Sequence, residues 1–189
     1  ATVIAALLGL RHATDPDHVV AITTIVSRQR SVRGAAMIGA AWGLGHTLTI
    51  LVVGGAIILL RWDIPARLGL SMELAVAAML VVLGLLSLAD RAPFTGLDRR
   101  LGALGPYRLV RPLVVGVVHG LAGSAAVALL VLATIQDRTW SLFYLLLFGI
   151  GTLIGMMLVT AAVAVPFAVS AGRFEAAGRG LRIASGLFS

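Results

Sequence analysis

Leu10-Arg11-His12-Ala13-Thr14-Asp15-Pro16-Asp17-His18-Val19 interrupts a run that is otherwise apolar from Ala1 to Val26. The run is long enough to cross a bilayer. Ionisable groups at membrane depth cost at least ~2–3 kcal/mol each on insertion scales, so a chain that keeps them uses them for an ion, a proton or a substrate. Pro16 has no N–H to give to the carbonyl of His12, and it disfavours helical geometry at Asp15. Asp15 therefore reads as an N-cap and Pro16 as the first residue of a new helix, with Asp17 and His18 in its first turn. The expected result is a helix broken at Pro16 in mid-membrane, with a freed carbonyl and the polar side chains gathered at the break. Discontinuous helices of this kind are where transporters build ion sites. A soluble helix cap would explain Asp15-Pro16-Asp17 alone, but not its apolar flanks.

Neutral imidazole and carboxylate are ligands for borderline divalent metals such as Ni²⁺, Co²⁺ and Zn²⁺. Thiolate chemistry is excluded, because the chain has no cysteine. Arg11 has two readings: a helix-end anchor snorkelling to the headgroups, or a partner that holds Asp15 or Asp17 ionised.

Of the 189 residues, 59% are hydrophobic and 12% charged, which indicates an integral membrane protein with no polar stretch long enough for a second domain. The whole of 1–189 is read as one transmembrane domain. The net charge of +7 comes from fifteen arginines and no lysine, mostly in connecting segments. That pattern argues for topology and contact with anionic lipid, and against nucleic acid, which calls for a basic patch on a soluble surface. The first apolar run carries the candidate site and is read as retained, not as a cleaved signal. Ala1 is an uncommon natural start, so residues are expected to precede it.

Five apolar runs, at roughly 2–26, 34–60, 68–89, 112–136 and 139–170, are each near or above the ~20 residues a span needs. They are joined by Ser27–Arg33, Arg61–Arg67, Asp90–Arg111 and Asp137–Arg138, and followed by Ala171–Arg182. Alternate connections carry eleven arginines (28, 30, 33, 91, 99, 100, 108, 111, 173, 179, 182) against three (61, 67, 138). By the positive-inside rule the first, third and fifth connections are cytoplasmic. Ile183–Ser189 turns apolar again and reads as the opening of a sixth span cut short.

An internal repeat supports a count of six. Gly9-Leu-Arg-His12 followed by Val20-Ala21-Ile22 matches Gly116-Val-Val-His119 followed by Val127-Ala128-Leu129 at an offset of 107, and Trp42-Gly-Leu-Gly45 matches Phe148-Gly-Ile-Gly151 at 106. One copy covers about 1–90, the other about 108–189, incomplete. Each holds three spans, an odd number, so the copies are expected to be inverted with respect to the membrane, with the site at their interface.

All four histidines, His12, His18, His46 and His119, lie inside apolar runs. A single buried histidine is usually structural, bonded to a carbonyl. Four of four, two of them at equivalent repeat positions, point instead to a shared site. Gly39-x-x-x-Gly43, Gly116-x-x-x-Gly120 and Gly151-x-x-x-Gly155 are packing motifs that let helices approach closely. Such approach would bring His46 and His119 to the break. Thr47 and Ser124 either orient a ligand or bond to their own helix carbonyls. Met156-Met157 reads as packing, and Glu73 as either a snorkelling side chain or part of a proton path.

Arg11-His-Ala-Thr-Asp-Pro-Asp-His18 resembles the signature of the nickel/cobalt transporter family: a histidine, four residues, then Asp-His. Leu44-Gly-His-Thr47 resembles the family's second motif. The compact six-span plan with His119-Gly-Leu-Ala-Gly-Ser124 is more similar to the urease-associated nickel permease branch, within the lysine-exporter-like superfamily of inverted three-span repeats. The resemblance covers about Gly9 to Met157 and implies that His12, Asp17 and His18 recognise metal, with His46 as the histidine of the second motif. The chain departs from larger members in the fourth span, which has His119 and Ser124 but no acidic motif. The implied activity is uptake of Ni²⁺, and of Co²⁺ as a second substrate, for urease or hydrogenase assembly.

The sequence thus predicts an all-α, six-span bundle of two inverted three-helix repeats in a bacterial plasma membrane. A divalent metal would pass through His12, Asp17, His18, His46 and His119, supported by Arg11, Asp15, Thr47 and Ser124. The metal is substrate, with no cofactor, and self-association is left open. The rival on the same scaffold is an exporter or channel for another metal or small solute. No His-Glu-x-x-His pair, nucleophilic serine motif or glutamate base stands near the histidines, so an enzyme is not expected.

Overall fold

A computed structural model describes residues 2–26, 31–60, 65–88, 107–121, 135 and 137–170 of the chain. Among them every regular element is a helix. The six are α1 (Thr2–His12), α2 (Pro16–Val26), α3 (Val32–Leu60), α4 (Ala66–Leu88), α5 (Tyr107–His119) and α6 (Arg138–Ser170).

Pro16 does divide the first apolar run. The Ala13 N–H still reaches the Gly9 carbonyl at 3.2 Å, but Thr14 and Asp15 make tighter turns back to Arg11 (2.8 Å) and His12 (3.1 Å). The Asp15 carbonyl then accepts the first bonds of α2, from the N–H groups of His18 (3.0 Å) and Val19 (3.1 Å). Asp15 thus holds the N-cap position. The expected free carbonyl is not found, because the His12 oxygen that Pro16 cannot satisfy takes the N–H of Asp15 instead, as buried backbone groups require. Each half of the broken run has 11 residues, a rise of about 16 Å against a hydrocarbon core of about 30 Å.

The other helices start on sequence signals. Ser31 accepts the Gly34 N–H on its hydroxyl. Asp137 caps α6, accepting on Oδ1 from the N–H groups of Thr139 (2.8 Å) and Trp140 (3.0 Å). Helix α5 begins at Tyr107, before the apolar run from 112, so Arg108 and Arg111 are helical and not part of a connection. Its polar first turn needs no apolar sequence to be helical, and Pro112, the sixth residue, leaves the Arg108 carbonyl of that turn without its intrahelical donor. Helix α5 ends at His119, where Gly120 and Leu121 form a turn. The rest of the expected fourth span, and the opening of a sixth, lie outside the described residues.

Three helices, α3, α4 and α6, are long and apolar enough to cross a membrane. Helix α3 packs along α6 and α5, and α1 packs along α6, while α4 touches the bundle mainly through α2. Polarity is distributed in the reverse of a water-soluble bundle. Leu70, Leu74, Val81, Val82 and Leu85 of α4 are exposed, whereas all four histidines and Thr47, Thr49, Thr152 and Thr160 are buried.

Glycine sets the helix spacing. A Cβ at Gly9 of α1 would collide with the Phe148 carbonyl of α6, and one at Gly116 of α5 would collide with the Trp42 carbonyl of α3. Gly45 stands likewise against Leu113, and Gly151 against Ala6. Gly43 meets Leu153, and Gly149 meets Thr47. Within each couple, adding 106 or 107 to the first-half residue gives the second-half residue of the other contact. Thr47 Oγ1 also donates to the Gly149 carbonyl at 3.0 Å, and Thr49 Oγ1 reaches the Val117 carbonyl of α5 at 3.0 Å. Hydrogen bonds between helices in lipid contribute about 0.6–2 kcal/mol each.

Gly45→Ala should cost about 1–3 kcal/mol through overpacking against backbone, whereas Gly55→Ala, with open space around it, should stay within about 0.5 kcal/mol or stabilise. Thermal unfolding of the detergent-solubilised protein measures both. Equal melting temperatures for the two variants would contradict the packing described.

Candidate metal centre

Three helix ends and one helix middle meet at the break. His12 is the last residue of α1, and Asp17 and His18 lie in the first turn of α2. His119 is the last residue of α5. His46 comes from the middle of α3, held by Gly45 against α5 and by Gly120 packing on its own carbonyl. The C-terminal ends of α1 and α5 carry partial negative charge that favours a cation, while Asp17 complements the positive N-terminus of α2.

The histidines are close-packed. Ring centroids of His12 and His119 each lie 4.6 Å from that of His18, both with interplanar angles of 71°. His46 stands 5.2 Å from His12 and 5.0 Å from His18. His18 and His119 are fully buried, with His46 at 1% and His12 at 5% exposure. So many buried polar rings are tolerated only where their nitrogens find partners or a ligand.

The two carboxylates decide which nitrogens are paired. His12 Nδ1 lies 2.8 Å from Asp15 Oδ2, His18 Nδ1 3.1 Å from Asp17 Oδ1, and His119 Nε2 3.0 Å from Asp17 Oδ2. A carboxylate only accepts, so each of these nitrogens carries the proton, and the other nitrogen of a neutral ring is then a lone pair. His12 Nε2 lies 3.1 Å from His46 Nε2. With His12 Nε2 as acceptor, His46 Nε2–H must be the donor. That leaves His18 Nε2, His46 Nδ1 and His119 Nδ1 as lone-pair nitrogens, and all three are buried without a hydrogen-bond partner. Carboxylates that fix imidazole tautomers while the second nitrogen stays bare are what metal-ligating histidines use.

Of the supporting residues, Asp15 does more than cap, because its carboxylate orients His12. Arg11 is exposed and forms no ion pair with Asp15 or Asp17 among the described residues; histidines occupy both acids. Thr47, next to His46, donates its hydroxyl to the Gly149 carbonyl and so ties α3 to α6. Met156 packs in the core, beside Trp42 and Ile22. Glu73 is exposed on α4. Ser124 lies outside the described residues.

Two aromatic neighbours carry no signal in the motif reading. Phe148 stands 5.5 Å from His12, and Trp42 stands 5.4 Å from His119. Trp42 also lies 5.3 Å from His18 and buries an unpartnered Nε1–H. The available signal was that Trp42 and Phe148 head two similar sequence segments, Trp42-Gly-Leu-Gly45 and Phe148-Gly-Ile-Gly151.

Comparison with known proteins gives two relatives. The chain is 37% identical over 178 residues to the urease accessory protein UreH of Bacillus sp. (strain TB-90), covering 89% of this chain and 78% of that protein. It is 26% identical over 172 residues to the chloroplast protein FOR GROWTH AND FERTILITY 1 of Arabidopsis thaliana, covering 82% of this chain but 47% of that protein. No protein-family profile and no solved structure matches.

The hydrogen-bond pattern fixes the metal-free tautomers: His12 and His18 protonated on Nδ1, His46 and His119 on Nε2. Nitrogen-15 NMR of histidine-labelled protein, free of metal and at neutral pH, should resolve two of each. Four Nε2–H tautomers would contradict the pairing with Asp15 and Asp17.

Proposed function

This chain belongs to the family of the urease accessory protein UreH, and on that premise we propose that it is a multi-pass permease that takes up a divalent transition metal, Ni²⁺ first and Co²⁺ second, to supply nickel enzymes such as urease. The observation that carries this reading is the convergence of four buried histidines and Asp17 at a broken helix, with three imidazole lone pairs bare. A structural role would satisfy those nitrogens with carbonyls or hydroxyls.

The donor set is imidazole nitrogen with carboxylate oxygen, which suits Ni²⁺ and Co²⁺ and not Cu(I). The site residues are His12, Asp17, His18, His46 and His119. Asp15 acts as a positioning residue for His12. No step calls for bond-making chemistry on a substrate, so the protein moves the ion and catalyses nothing. Passage requires ligands that bind well enough to replace hydration and exchange readily enough to let go. Imidazoles hydrogen-bonded to carboxylates suit this, because the carboxylate raises the basicity of the opposite nitrogen and keeps the ring oriented whether or not an ion is bound.

The long apolar helices and their exposed aliphatic faces support residence in a membrane, here assigned to the bacterial plasma membrane with the arginine-rich connections inside. The crossed glycine contacts support two inverted repeats. Gly9 with Phe148 and Gly116 with Trp42 form the reciprocal pairs that a two-fold relation between halves generates. In such folds one half rocks against the other around a central site.

Cells expressing the full-length protein, offered trace nickel, cobalt and zinc, test this by elemental mass spectrometry. Nickel content should rise, cobalt less, and His12→Ala at matched expression should abolish the rise. No rise in any metal, or an active variant, would contradict the proposal.

A further inference from the structure

The five candidate ligands do not fall into one set. His12, His18 and His46 offer ligand atoms within 4.8 Å of one another, and Asp17, His18 and His119 do the same. The two triads share only His18. One ion bound at about 2.0–2.1 Å holds even its opposite ligands only about 4 Å apart, so an ion would draw either triad slightly closer around itself, and the five residues do not form one such group.

The triads differ in chemistry and in origin. The first is three imidazoles, two of them from the first broken helix and one from α3. The second replaces two nitrogens with the Asp17 carboxylate and with His119, which α5 brings in from the other half of the chain. His18 relates to both in the same way, with His12 and His119 at equal centroid distance and equal ring angle. These two partners are themselves equivalent in the repeat. The aromatics at matched sequence positions also pack here, Phe148 against His12 and Trp42 against both His119 and His18.

We propose that the centre is two overlapping stations, an all-imidazole station of His12, His18 and His46 and a carboxylate station of Asp17, His18 and His119, between which the ion passes while His18 stays bound to it. This deepens the metal-permease reading and rests on it. Keeping one ligand throughout avoids returning the ion to full hydration between stations. Each station also has its own partner for the empty state. His12 and His46 bond to each other at 3.1 Å, and Asp17 holds His119 and His18 at 3.0 and 3.1 Å. Whichever station the ion leaves can close on itself.

The test uses the purified full-length protein and Co²⁺, whose visible absorption reports the donor set. His46→Gln dismantles the first station, and His119→Gln the second. Each variant should still bind one Co²⁺ with affinity within about tenfold of the intact protein, with absorption spectra that differ from each other. Each should lower nickel flux in proteoliposomes by about 10- to 100-fold, and the double variant should bind no Co²⁺. Abolished binding in either single variant, identical spectra, or retained flux would overturn the two-station arrangement. Where His46→Gln does not give a monodisperse protein, His12→Gln breaks the same triad, and Asp17→Asn substitutes likewise for His119→Gln. Failure of the permease reading is separately visible, as intact protein that moves neither nickel nor cobalt.

Discussion

A single hydrogen bond that Pro16 cannot make organises this protein. Without that N–H the first apolar run cannot stay one helix, and the turns at Thr14 and Asp15 absorb the carbonyls left over. The break creates two helix termini where an unbroken helix would offer none, and it turns His12, Asp15, Asp17 and His18 towards a common point. The two carboxylates then fix the rings. A carboxylate in place accepts one hydrogen bond from each histidine it touches, so the lone pairs point elsewhere, those of His18 and His119 without partners and that of His12 onto His46. The buried polarity is thus an ordered network with specific gaps, and the gaps are what a cation would fill.

The second constraint is close approach. His46 and His119 come from distant parts of the chain and meet the break only because α3, α5, α1 and α6 pack with almost no side chain between their backbones. Glycines at 9, 45, 116 and 151 make that spacing achievable. Larger residues there would separate the helices and pull the imidazoles apart, so packing and site chemistry are one design. Within a bilayer no hydrophobic force would act between apolar helices, and van der Waals fit with the Thr47 and Thr49 bonds would hold the bundle.

Much of this was legible in the sequence, for identifiable reasons. Proline geometry is local, so the division at Pro16 and the N-cap position of Asp15 could be read directly. Four histidines in apolar runs, two at repeat-equivalent positions, indicated a shared centre, and the structure brings them together. Side-chain direction was not legible. Asp15 could be seen as a cap but not as the acceptor for His12, because that depends on how the turn aims its carboxylate. Thr47 was expected to bond within its own helix or face a ligand, yet it bonds to α6, a choice made by tertiary contact. Trp42 and Phe148 were visible only as markers of the repeat. Helix α5 starts at Tyr107, earlier than hydropathy suggests, since arginines in a first turn are compatible with a helix though not with an apolar run.

The central claim is that the broken-helix histidines form the path of the ion. Its most direct test is nickel flux into proteoliposomes holding the purified full-length protein, compared with His18→Ala, whose side chain is fully buried and touches every other histidine of the centre. Saturable nickel entry with the intact protein, lost in the variant while its size-exclusion profile is unchanged, is the predicted result. Equal entry with and without the His18 imidazole would mean that the cluster is structural and that the ion, if one moves, goes elsewhere.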